Sequence, residues 1–103
     1  MDTTLRKLTL VAPALIQVTL MDCLDAIEPA LAGYTVLTGE GRGDGADLPT
    51  AAERVRGAMR VVTVLMVVPE REIAPILEAV RQACPRPNIA YWVEPILEFG
   101  RLK

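Results

Sequence analysis

An α+β domain with the element order β-α-β-β-α-β is predicted by three observations in this 103-residue chain. Two stretches of helically spaced apolar residues each sit between runs rich in β-branched side chains. Residues 58–68 hold five valines and are apolar on both faces, as a buried strand would be. A polar stretch, Gly39 to Pro49, separates that run from the strand before it and holds four of the chain's seven glycines. A chain of this length forms one domain and can bury a core without disulfides or a structural metal.

The first strand is expected over Leu5 to Ala12, stopped by Pro13, a residue suited to the first turn of a helix. From Ala14 the positions Leu15, Val18, Leu20, Met21, Leu24, Ile27 and Leu31 follow helical spacing, with Asp22, Asp25 and Glu28 on the remaining face. Pro29 ends or kinks that helix and Ala32-Gly33 closes it. Tyr34 to Thr38 reads as the second strand, leading straight into the glycine-rich loop. After the third strand, Ala58 to Val68, a second helix turns Ile73, Ile76, Leu77, Val80 and Ala83 inward and Glu72, Glu78, Arg81 and Gln82 outward. Pro75 is tolerated there because backbone N–H groups of a first turn lack helical partners. Pro85-Arg86-Pro87 stops this helix, Asn88 to Glu94 is the last strand, and the tail 95–103 still has Ile96, Leu97, Phe99 and Leu102 to bury.

This order is the split βαβ, ferredoxin-like sandwich, with two helices on one face of a four-stranded antiparallel sheet. The opposite face is left bare, although the third strand puts apolar side chains on it. Monomers seldom expose a contiguous apolar patch above about 400 Å², so oligomerisation through the sheet is expected. The alternative is that the apolar tail folds back over the sheet.

Composition excludes several classes. Hydrophobic residues make up 51% and charged residues 23%, a globular balance. A net charge of -2 with scattered Lys and Arg provides no basic stripe for nucleic acid. The chain has no His, and Cys23 and Cys84 are far apart in sequence within expected helices, so neither CxxC chemistry nor a His-containing zinc site can be assembled. Both cysteines read as small, buried apolar residues. Arg6-Lys7 followed by Leu8 to Met21 superficially resembles a signal peptide. Pro13 and Gln17 interrupt that run, however, and no stretch reaches the 18 or so apolar residues of a membrane span. A cytoplasmic protein without membrane insertion is expected.

The loop between strands two and three, together with the run Asn88-Ile89-Ala90-Tyr91-Trp92-Val93-Glu94-Pro95-Ile96-Leu97-Glu98-Phe99-Gly100-Arg101-Leu102, resembles the PII-like superfamily. Within it, the chain is most similar to short proteobacterial proteins ending in a Tyr-Trp-Val, Pro, Gly pattern. The resemblance implies a homotrimer with its sheets turned inward and a flexible T-loop over residues 39–57, the element through which PII proteins touch transporters and enzymes, with a membrane transporter or efflux component as the partner here. It further implies a nucleotide-binding, signalling role at the subunit clefts, with an adenine nucleotide or small anion as ligand. Gly39, Gly41, Arg42 and Gly43 match the ligand-binding start of that loop in character, and Asp44, Asp47, Arg54 and Arg56 fall where partner contacts belong. The family's glycine-rich phosphate loop is replaced by Cys84-Pro85-Arg86-Pro87-Asn88, whose prolines cannot offer the N–H groups that cradle phosphates.

Read from the residues alone, Gly39 to Gly45 forms either a backbone nest for an anion, with Arg42 supplying charge, or a solvated turn. It is neither a Walker motif nor a dinucleotide fingerprint. Glu53, Arg54, Arg56 and Arg60 lie on the far arm of the loop. Tyr91 and Trp92 alternate faces on the last strand, one expected in the core and the other toward a neighbour or cleft. No nucleophile has a base beside it, so no enzyme is expected and no catalytic residue is assigned. The expected function is a PII-like regulatory trimer without a resident cofactor. The alternative is a metal-responsive trimer related to divalent-cation tolerance proteins, with Glu40, Asp44 and Asp47 or the paired cysteines as ligands.

Overall fold

The computed structural model describes residues 4–42, 58–84 and 88–103. Its elements follow the expected order: β1 (Leu5–Pro13), α1 (Gln17–Asp25), β2 (Thr35–Gly41), β3 (Met59–Pro69), α2 (Ile73–Ala83) and β4 (Ala90–Pro95). Short 3₁₀ turns, Ala14–Ile16 and Glu70–Glu72, lead into the two helices. The strands form one antiparallel sheet in the order β2-β3-β1-β4, so the first and third strands are central and β2 and β4 are the edges. This is the ferredoxin-like fold.

Register divides the side chains cleanly. Leu8, Leu10 and Ala12 of β1 stand opposite Met66, Val64 and Val62 of β3, and all six are buried beneath the helices. Leu20 and Leu24 of α1 and Ile76 and Val80 of α2 close the core from above. Burying side chains of this kind stabilises by about 1.5–3 kcal/mol each, which makes the sheet–helix seam the main source of stability. Pro75 sits in the first turn of α2, where its missing N–H costs nothing.

The open face of the sheet is also apolar. Val11, Val61, Thr63, Leu65 and Val67 are half-buried there, and Leu37 is exposed. At its centre Thr9 is only 1% exposed, lying between Leu65 on one side and Trp92 on the other. Among the described residues the Thr9 hydroxyl oxygen has no hydrogen-bond partner.

Three expectations are corrected. The first helix ends at Asp25, where the Ala26 N–H closes on the Asp22 and Cys23 carbonyls, rather than running on to Pro29. The residue before a proline is disfavoured in helical conformation, which suits termination upstream. Leu15 and Val18 point outward, 70% and 73% exposed, and Ile16 packs on the core in their place. The second strand runs three residues past Thr38, so Gly39, Glu40 and Gly41 belong to β2.

Candidate functional site

Because β2 continues to Gly41, the first glycines of the polar stretch are held in extended pairing, with Gly39 opposite Val61, Glu40 opposite Arg60 and Gly41 opposite Met59. A peptide nest needs a residue of positive φ. Among the described residues the glycine with positive φ is Gly33, at 153°, ahead of Tyr34. Gly39 and Gly41 therefore act as a flat platform at the end of an edge strand. A Cβ at Gly39 would meet no atom within 4 Å, while one at Gly41 would come to 3.1 Å from Val61 Cγ1. Arg42 follows directly and is exposed. The structure thus brings Gly39, Gly41 and Arg42 together at one corner of the sheet. Gly43, Asp44, Asp47, Glu53, Arg54, Arg56 and the stretch Pro85-Arg86-Pro87 lie outside the described residues.

The register puts four strand ends at this end of the sheet: Pro13 of β1 opposite Val61, Gly41 opposite Met59, and Ala90 of β4 opposite Val11. The loop base on β2 and the start of β4 nevertheless lie on opposite edges. Three strand spacings of about 4.8 Å separate them, roughly 14 Å.

Among the described residues, a concavity lies on each face of the sheet. On the open face, at the end remote from Arg42, Lys7, Tyr34, Thr35, Leu65, Val67, Phe99 and Arg101 line a hollow of about 540 Å³. Tyr34 Oη donates to Asp25 Oδ1 at 2.6 Å. That bond, followed by burial and the charges of Asp25 and Asp22, raises the Tyr34 phenol above its ordinary value. Lys7 Nζ lies 3.8 Å from Glu94 Oε1, the same oxygen that accepts from Trp92 Nε1 at 3.0 Å. On the helix face a groove of about 340 Å³ runs between α2 and β4, lined by Leu10, Leu77, Glu78, Arg81, Ile89 and Tyr91. Arg81 Nη2 is 2.7 Å from Glu78 Oε2 across its rim, and with the Gln82 amide it holds the Glu78 carboxyl below the usual range. Neither Tyr91 nor Trp92 enters the core, because β4 is an edge strand exposed along its length.

Cys84 caps α2 and is buried, and Cys23 packs partly against the core from α1; both are free thiols. Burial raises both, and the neighbouring Cys84 raises Cys23 further. Cys84 is the buried apolar residue expected, and Cys23 is only partly so. Among the described residues no cluster of three or more Cys, Asp or Glu is placed to hold a metal ion. No helix among them is long and apolar enough to cross a membrane. Lys7, Tyr34, Phe99 and Arg101 carried no signal as a group in the sequence, because only strand register and the course of the tail make them neighbours.

The strand order and the two helices on one face define a ferredoxin-like sandwich, and structural comparison shows the PII-like form of that fold. CPII from Thiomonas intermedia, a nitrogen regulatory PII-like protein bound to ADP, AMP and bicarbonate, superposes with a TM-score of 0.70 at 21% identity, over 96% of each chain. Arabidopsis thaliana PII bound to citrate gives 0.65 at 14% identity, over 92% of this chain and 79% of that one. The chain belongs to the DUF3240 family, described as proteins of unknown function, whose model matches residues 2–103. A DUF3240 protein from Shewanella baltica superposes over the whole of both chains with a TM-score of 0.79 at 22% identity. No curated protein matches the chain in sequence.

Proposed function

We infer that this protein is a trimeric, PII-like regulatory protein that senses a small ligand, an adenine nucleotide or anion, in the clefts between its subunits. It acts on a partner protein through the loop that Gly41 and Met59 bracket, and it carries out no catalysis of its own. The observation that carries this reading is the placement of the Gly39–Arg42 platform and the start of β4 at one end of the sheet but on opposite edges. A gap of roughly 14 Å is too wide for one phosphate group to touch both edges of a single chain. Setting the β2 edge of one subunit beside the β4 edge of the next brings the two together, and the apolar open face supplies the surface that holds the subunits.

The bare backbone at Gly39 admits close approach by a ligand, and Arg42 supplies the charge an anion requires. The structural similarity to CPII bound to ADP, AMP and bicarbonate makes those three compounds the first to try. The prolines at 85 and 87 offer no N–H to a phosphate chain, which favours a ligand with few phosphates over ATP.

Calorimetric titration of the purified chain with AMP, ADP and bicarbonate tests the reading. Saturable binding by at least one of them, weakened tenfold or more in Arg42→Ala, is expected. An equally tight titration in Arg42→Ala would remove the loop base from the site.

A further inference from the structure

After Pro95 the chain leaves the sheet edge and runs to Lys103 without helix or strand. The side chains of this arm are of two kinds. Phe99 and Arg101 turn toward the chain's own sheet and line the 540 Å³ hollow over Leu65 and Val67. Among the described residues Leu97 and Leu102 are fully exposed, at 101% and 105%. No backbone hydrogen bond among the described residues ties 96–103 to the body.

We propose that the arm is an inter-subunit clasp, in which Leu97 and Leu102 of one copy pack on the open sheet face of a second copy of this chain. The proposal rests on the trimeric reading given above and deepens it. Two leucines held wholly in water, one two residues before and the other three residues after the half-exposed Phe99, gain nothing for an isolated chain. Their positions suit an arm lying between two sheets: Phe99 lines its own, and the fully exposed leucines are left for another. Leu97, Leu102 and the exposed half of Phe99 hold roughly 300 Å² of apolar surface. That is more than a third of the ~800 Å² each partner contributes to a stable interface. The receiving surface is equally incomplete, since Leu37 is exposed and Leu65 and Val67 border an unfilled hollow. The clasp also continues the sheet-to-sheet contact, because the arm starts at the β4 edge that the trimer sets against a neighbour.

The test combines sedimentation velocity with cross-linking on the full chain. Wild type is compared with Leu97→Asp/Leu102→Asp over a concentration series, with far-UV circular dichroism as a check of the fold. A photo-reactive phenylalanine analogue is placed separately at position 97 in a mixture of isotopically light and heavy chains. A trimer is expected for wild type, with its dissociation concentration raised at least 100-fold in the double variant and the circular dichroism unchanged. Cross-links are expected to join light to heavy chains and to fall on Leu37 or residues 61–67. A trimeric wild type whose double variant assembles at the same concentration, or cross-links confined within one chain, would overturn the clasp alone. A wild type that is monomeric throughout would overturn the trimeric reading and the clasp with it.

Discussion

Thr9 holds a hydroxyl in the driest part of the open face, between Leu65 and Trp92, and among the described residues it has no hydrogen-bond partner. An unsatisfied buried hydroxyl costs about 1–3 kcal/mol. Thr9→Val keeps the β-branched shape and removes the polar atom, so it should stabilise by about 1 kcal/mol, or ~4–8 °C in Tm. A thermal melt showing a lower Tm would mean that the hydroxyl is paired in solution. Tyr34 offers a second residue-level test. Its bond to Asp25 raises the phenol, so the folded chain holds the tyrosine proton more tightly than the unfolded chain does. The stabilisation is fully present below the ordinary tyrosine value near pH 10 and is lost as pH rises through the higher folded value. Tyr34→Phe should remove that part of the alkaline loss of stability, as read by urea melts at about pH 9 and 11.

At the scale of elements, α1 carries two apolar stripes, and only one of them can face the sheet. Leu20, Cys23 and Leu24, with Ile16 before the helix and Ile27 after it, form the inward stripe, while Val18 and the preceding Leu15 share the outer side with Asp22 and Asp25. Leu24→Ala should therefore cost about 2–5 kcal/mol and Val18→Ala less than about 0.5, measured by chemical denaturation. Spacing in the sequence could show a helix here but not choose between the stripes, since Leu15, Val18 and Asp22 are themselves helically spaced. The strands were more legible: the valines of β3 and the stop at Pro13 bounded two of them to within a residue. The end of β2 was hidden because glycine is a poor strand former, and its extended state at 39 and 41 comes from pairing with Val61 and Met59 rather than from local preference. For the candidate site, the sequence pointed to Gly39, Gly41 and Arg42. It could not show that they lie across the sheet from the start of β4, because that depends on the order β2-β3-β1-β4.

Among its described residues, the molecule has a finished core on one side of its sheet and unfinished surfaces elsewhere: an apolar face, two edge strands and an arm of exposed leucines. Assembly of three copies would cover the face, set unlike edges together and build the ligand cleft from two chains at once, so that ligand binding and assembly reinforce each other. The most direct test of this account is native mass spectrometry of the full chain at micromolar concentration, with and without ADP, AMP and bicarbonate. The expected result is a particle of three times the 11.2 kDa chain mass that takes up as many as three ligand molecules. A monomer, or a trimer that takes up none of the three compounds, would contradict it.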